Sequence, residues 1–428
     1  MNAFARLLPW ILLSCAMAAS ADESRAWLGG DWDGARHRLA ERGINFDFGY
    51  TSEDLANVRG GDRKGMVHTG QLALGTVFDL QKLWHLQGAS FHFTTTYRDG
   101  HDIRARNGVD TLLQPQEIYG RGQTWRLTEM YWSQWLADDH LLFKLGRLNV
   151  GGQFGDVECT FLNQGLCGSE PGNIRGDYWY NWPTSQWALV TQIQFNASHY
   201  LKLAAYQVNP AFVERSNRFT LNPPGTIGAL FPVEFGWTPK LGDNLPGAYK
   251  FGAWYTNAHT RDVYRDLNGD PAALSDLGYQ MRDSSYGAYF SIEQQLSHGS
   301  GVGSKSGWRA FINATASDRQ TSTVYQTLGI GAIDQGLSPG RPIDELGIGV
   351  SGLRVNPRAV ANESLQYQVG ERTRPADHDE YMAELFYAWQ PTRWLRIQPE
   401  VQWIHHPGPV VRNQGSYTLL GAKSSIIF

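Results

Sequence analysis

Three stretches of the chain combine arginine, carboxylate and aromatic residues closely enough to share one site. Tyr97-Arg98-Asp99 is the first. Glu117 and Arg121, followed by Trp125, Arg126 and Glu129, form the second. Arg147, with Asp156 and Glu158 beyond it, forms the third. Guanidinium groups present rigid forks of donors, and carboxylates offer only acceptors. Aromatic rings add flat apolar faces. That set suits a polyhydroxylated solute, whose hydroxyls both donate and accept and whose C–H faces stack on rings. Weak binding is expected if the solute must also leave, because tight binding lowers flux through a channel.

These groups need strands to carry them. Segments of period-2 alternation recur along the chain. They fall near 44–58, 70–80, 88–98, 124–137, 140–150, 186–195, 199–209 and 233–241, then 247–259, 284–297, 307–318, 323–333, 344–356, 379–392, 395–406 and 415–428. Tyr249, Phe251, Ala253 and Tyr255 alternate with Lys250, Gly252, Trp254 and Thr256. One face can meet lipid and the other water. Short connections follow 80, 137, 195, 241 and 391, and long ones follow 98, 150, 209, 259 and 356. Outer-membrane barrels alternate short turns and long loops in this way. The connections 318–323 and 333–344 break the pattern. An even count of strands must close on itself in lipid, where an open edge leaves backbone groups unpaired. The expected fold is therefore all-β: a 16-stranded antiparallel transmembrane β-barrel spanning 44–428. In it, strands three to five put the three arginine stretches on one sector of the wall, with Arg147 facing Asp156 and Glu158. Arg126 and Glu129 have opposite parity, so both face the lumen only if a bulge separates them.

Ahead of the barrel, residues 1–21 read as a signal peptide. The segment from Leu7 to Ala19 is apolar and Ala19-Ser20-Ala21 is a small-residue cleavage site. Residues 22–43 read as a periplasmic segment with a short amphipathic helix over Arg36–Arg42, Leu39 facing inward. No other stretch is long and apolar enough for a transmembrane helix. Net charge is −4, with 47 Gly and 16 Trp in 428 residues, so no basic footprint for nucleic acid is visible. Cys159 and Cys167 are the two cysteines left after cleavage, and in an oxidising compartment they are expected to pair as a disulfide rather than stay free. They lack the neighbours of a zinc site, and no metal is expected. No G-x-S-x-G, H-E-x-x-H or phosphate-cradling G-x-G-x-x-G occurs, so an enzyme is not expected. Asp266-Leu267-Asn268-Gly269-Asp270 resembles the start of a calcium loop. Pro271 stands where that loop needs glycine, so a plain turn is expected.

Five stretches resemble the carbohydrate-selective, OprB-type porin family. They are Gly30-Asp31-Trp32-Asp33-Gly34-Ala35-Arg36 running on to Leu39 and Arg42-Gly43-Ile44; Gln116 to Arg126; Gly146-Arg147-Leu148-Asn149; Cys159 to Gly168 with Asn163; and Gly421 to Phe428. The second and fourth are long and specific. The resemblance covers nearly the whole mature chain. It implies an outer-membrane barrel of a Gram-negative bacterium, passing glucose and related small carbohydrates without a cofactor. It also implies a third loop, 151–185, folded into the pore, where a Cys159–Cys167 bridge would stiffen it. The terminal Phe428 looks like the signal read by the barrel-assembly machinery, and the resemblance permits a homotrimer. Rival expectations are a porin for sugar acids or hydroxy acids, a nonselective porin, a plugged structural barrel and, further off, a barrel enzyme.

Overall fold

The structure is a computed structural model that describes residues 26–300, 305–370, 379–406 and 415–428. The expected signal peptide, 1–21, lies outside the described residues. Sixteen long antiparallel strands form the wall, labelled here in chain order. The first eight are β1 Ile44–Arg59, β2 Gly65–Asp79, β3 Ala89–Gly100, β4 Trp125–Leu136, β5 Leu141–Leu148, β6 Gln186–Asn196, β7 His199–Val208 and β8 Gly228–Trp237. The rest are β9 Leu245–Thr256, β10 Ser285–Gln295, β11 Gly307–Ser317, β12 Val324–Gln335, β13 Glu345–Val355, β14 Glu380–Thr392, β15 Leu395–His405 and β16 Tyr417–Ile427. Each pairs with its neighbour in sequence. The sheet closes where β16 pairs with β1, from Gly49↔Ile427 to Arg59↔Thr418. A two-residue strand, Lys240–Leu241, joins the same sheet beside Leu245 and Pro246. Thr260–Asp266 and Tyr279–Arg282 form a separate hairpin within the β9–β10 loop.

The eighth strand begins at Gly228, five residues before the expected 233, and the reason is Pro232. A proline inside a run argues against a strand, because it cannot donate to a ladder. Here the ladder to β7 is interrupted between Val233 and Leu230, while Pro232 still pairs in register with Trp254 of β9. The strand survives because one side needs no donor from that residue.

Alternation sorts the side chains. Phe93, Trp132, Leu145, Leu189, Phe231, Phe251, Leu328, Ile348, Leu385 and Leu420 are exposed on the outward face. That apolar belt suits hydrocarbon. Inward positions carry polar and charged groups, among them Glu53, Arg98, Glu234, Arg309, Glu384 and Lys423. Among the described residues no helix is long and apolar enough to cross a membrane.

The N-terminal helix covers Ala35–Glu41. Leu39 was expected to face inward, but Arg36 is the residue it buries. Arg36 donates to the carbonyl of Phe428 and, at 2.8 Å, to that of Phe46. Its guanidinium lies 4.2 Å from the Trp27 ring centroid. The helix therefore seals the β1–β16 seam at the end where Phe46 and Phe428 lie. A cation capping strand-end carbonyls outweighs the modest gain from burying one leucine.

Candidate functional site

The β5–β6 loop, 149–185, turns into the barrel. Carboxylates on the wall hold its backbone. Glu234 of β8 accepts from the Gly155 N–H at 2.9 Å. Glu384 of β14 accepts from Leu162 at 2.7 Å and from Asn163 at 3.0 Å. Asn163 also donates to Gln402 of β15 at 3.0 Å. Phe161 sits between Phe311 of β11 and Phe386 of β14, at 5.7 and 5.0 Å between ring centroids. A loop buried in a barrel must have its backbone N–H groups satisfied, and charged acceptors do this strongly.

Two further anchors come from the loop itself. Glu170 accepts from Thr315 at 3.2 Å and Thr327 at 2.9 Å. Arg175 enters a pocket of hydroxyls, donating to Thr321 at 2.7 Å, Ser322 at 2.6 Å and Ser285 at 3.0 Å, with Asp318 at 3.3 Å. This explains why 318–323 is short. Asp318 also accepts from the N–H groups of Gln320 and Thr321, which ties the turn into a compact receptor.

The β3–β4 loop, 101–124, folds inward beside it. Glu117 donates its N–H to Leu162 and Gln164 donates to Gln114, both at 3.0 Å. Glu53 of β1 accepts from the Ile118 N–H at 3.3 Å. The Glu117 side chain meets Lys423 of β16 at 3.1 Å, and Lys423 lies 3.6 Å from Glu53. Cys159 and Cys167 are bonded, with Cα atoms 4.4 Å apart. The Glu117 carboxylate lies within 4.8 Å of both sulfurs. Disulfide sulfurs offer no thiolate, so this trio does not read as a metal site.

The expected residues divide. Arg98 is buried on the lumen face and donates to Gln71 Oε1 at 2.7 Å. Trp182 donates to the same oxygen at 3.1 Å. Glu53 and Glu117 are within electrostatic reach of Arg98. Arg121 stands over the Tyr180 ring at 5.7 Å and donates to the Gly176 carbonyl at 3.4 Å. Arg98, Glu117 and Arg121 thus meet where the two inward loops meet. Arg126 and Glu129 both face the lumen. The register slips so that Thr94 pairs with Glu129 and Thr95 with Leu127, leaving Thr128 as the required bulge. Glu129 accepts from Asn149 at 3.0 Å. Arg126 is spent on carbonyls, those of Phe212, Val213 and Arg121.

Four expected residues lie elsewhere. Trp125 is on the outward face, 37% exposed, with its ring 5.3 Å from Tyr97. It shares the outward face with Tyr97, and it suits the aromatic girdle. Arg147 also has outward parity, two residues from the exposed Leu145. It is covered by the β7–β8 loop, 209–227, and donates to Thr220 at 3.2 Å and Ser185 at 2.9 Å. It does not face Asp156 and Glu158. Those acids lie against another sector. Lys250 of β9 donates to the Asp156 carbonyl at 2.6 Å. Lys305 pairs with Glu158 at 2.7 Å, and Arg309 of β11 lies 3.9 Å from it.

Sequence reasoning missed the wall carboxylates Glu53, Glu234 and Glu384, the partner Gln71 and the cation Lys423. Their inward parity was readable, but their loop partners lie far away in sequence. At the loop end, the β9–β10 hairpin is tied to the helix Pro357–Gln368 through Asp262, which contacts Arg282 at 2.7 Å and Arg358 at 2.8 Å. Burial pushes the Asp262 carboxyl up, but the N–H groups of Arg265 and Tyr264 and the two guanidiniums outweigh it. They hold it below the usual range. The Asp266–Asp270 stretch is a hydrogen-bonded turn, with Asp266 accepting from Asn268 and Asp270 at 2.9 Å.

A family profile described as carbohydrate-selective porin, OprB family, matches residues 63–428. The chain is 38% identical over 414 residues to Porin B of Pseudomonas aeruginosa, covering 93% of this chain and 90% of that one. It is 33% identical over 408 residues to the putative porin QuiX of Acinetobacter baylyi, covering 91% and 90%. The high-pH structure of Pseudomonas putida OprB superposes with a TM-score of 0.91 at 34% identity, over 95% of this chain and 99% of that one.

Proposed function

This chain belongs to the carbohydrate-selective porin (OprB) family, and on that premise we propose that it passes glucose and related small carbohydrates by holding them at the junction of its two inward loops. The observation that carries the reading is the shared acceptor Gln71 Oε1, which fixes Arg98 and Trp182 side by side. A guanidinium fork beside an indole face, with Glu117 and Arg121 nearby, matches the donors, acceptors and C–H faces of a pyranose. Both sectors mix charges of the two signs: Glu53 and Glu117 lie near Arg98, and Lys305 and Arg309 lie near Glu158. A lumen lined by such charges favours polar solutes over apolar ones.

The reading assigns passage without chemistry, and no catalytic residue or cofactor is proposed. It places the protein in the outer membrane of a Gram-negative bacterium, exported by the segment 1–21 and inserted by the assembly machinery through Phe428. The family premise also allows a homotrimer. A second reading, sugar acids as solute, draws on the proximity of Arg98, Arg121 and Arg126 to one another. Single-channel current with glucose and then a sugar acid tests both. Arg98→Gln and Arg121→Ala should raise the half-blocking sugar concentration about tenfold, the worth of one or two charge-assisted hydrogen bonds. Unchanged block in both variants would remove these residues from the site.

A further inference from the structure

A second cavity of about 520 Å³ opens at the loop end, apart from the junction just described. The exit of the inward loop lines one side with Asp177, Tyr178 and Tyr180. The β9–β10 hairpin supplies Arg261 and Tyr279, and the helix Pro357–Gln368 supplies Asn362 and Gln366. Its size is that of a small-molecule site.

The chemistry of its wall is specific. Tyr279 is fixed through its hydroxyl, which accepts from Asn362 at 2.7 Å and from Gln366 at 3.5 Å. The Arg261 guanidinium lies over that ring, 4.5 Å from its centroid. Other charges here are matched: Asp262 by Arg282 and Arg358, and Asp177 by Arg175. Arg261 is exposed, and among the described residues its side chain makes no hydrogen bond or ion pair, although its backbone pairs with Met281. The cavity therefore holds an oriented ring and a guanidinium with all its donors unspent. The Asp177 side chain, 46% exposed and already accepting from Arg175, adds carboxylate oxygens to the lining.

We infer that this cavity is an outer docking site for a pyranose, which Arg261 grips through two vicinal hydroxyl oxygens before the solute reaches the junction. The inference rests on the carbohydrate reading above. Tyr180 connects the two places. It lines the cavity, and its ring lies 5.7 Å from Arg121. On this inference a solute leaving Arg261 passes Tyr180 on its way to Arg121. The shared chemistry, vicinal oxygens on a six-membered ring, fits neutral sugars and sugar acids alike.

The test uses the full-length protein in planar bilayers, with methyl α-D-glucopyranoside or glucuronate added to one side at a time. Arg261→Ala should lower the blocking on-rate about fivefold when probe is added at the loop end, and leave the off-rate near native. Addition at the turn end is the control, where the on-rate should not change. Saturation-transfer NMR on the same protein gives an independent arm. Signal from either probe should persist in Arg98→Gln and fall in Arg98→Gln with Arg261→Ala. A glucopyranoside effect alone identifies a neutral-sugar site, and a glucuronate effect alone an anionic one. If Arg98→Gln and Arg121→Ala leave block unchanged but Arg261→Ala slows it, the junction reading fails and the docking site stands. Unchanged on-rates and unchanged transfer for both probes would overturn the docking site, as would no transfer from native protein.

Discussion

Arg175 and Asp318 meet 3.3 Å apart inside the barrel, although the inward loop carries one and the tight β11–β12 turn carries the other. Both side chains are almost wholly buried, at 2% and 4% exposure. Arg175→Ala should therefore leave a buried carboxylate without its cation, a change that costs ~3–5 kcal/mol. Asp318→Asn alone should cost less, and the double variant should recover part of the loss. Melting curves in detergent, arranged as a double-mutant cycle, measure this coupling. Additive losses would mean that the two residues act separately.

Glu384 holds two successive N–H groups of the inward loop. Replacing it with Gln keeps one acceptor and turns the other into a donor facing an N–H. Glu384→Gln should raise open-channel noise in single-channel records and broaden the conductance distribution. A trace as quiet as native would show that the Phe161 packing suffices to hold the loop.

The Cys159–Cys167 bond closes a short ring in the same loop. Reduction should also increase open-channel noise, because it frees the segment whose carbonyl at Cys159 accepts from Lys423. A thiol titration of the unreduced protein checks the premise. Two reactive thiols in the native protein would end the disulfide assignment.

Arg147 is covered by the β7–β8 loop and turned away from the lumen. Arg147→Met should leave sugar block near native while making segment 209–227 more open to protease. A large rise in half-blocking concentration would place Arg147 in the conduction path after all.

Asp262 supplies a pH signature at the loop end. Its carboxyl is held below the ordinary ~3.9 of an aspartate, so its contribution is complete above that value and is lost only as pH falls through the lower folded value. Hydrogen exchange in Thr260–Arg282 should stay protected from neutral pH to about pH 4 and fall below it. Asp262→Asn should weaken protection at neutral pH and flatten the profile. Loss of native protection well above pH 4 would point to another group.

The barrel was legible in the sequence because alternation and loop length report it strand by strand. Where 318–323 broke the rule, the break marked the receptor for Arg175. The site was less legible. Arg98 and Glu117 were singled out by residue type, and the bulge at Thr128 was required by the parity of Arg126 and Glu129. Counting from Leu145 would have turned Arg147 outward, but its place at the start of the inward loop, ahead of Asp156 and Glu158, drew it in. Parity says which residues point inward. It does not say which of them a returning loop covers, and so Arg126 became an anchor while Gln71 came to hold Arg98 and Trp182. Glu234 and Glu384 could not be read as loop partners, because nothing local in their strands distinguishes a carboxylate awaiting an N–H from one facing water.

The wall carboxylates Glu234 and Glu384 grip backbone N–H groups, which every residue except proline possesses. Position and composition of the inward loop are therefore separately adjustable. Side chains at Asp156, Glu158 or Trp182 can be exchanged without touching the bonds at Gly155, Leu162 and Asn163. A lineage, or an engineer, can retune which solutes pass while the aperture stays where it is. The changes to avoid are those that install proline at the gripped positions.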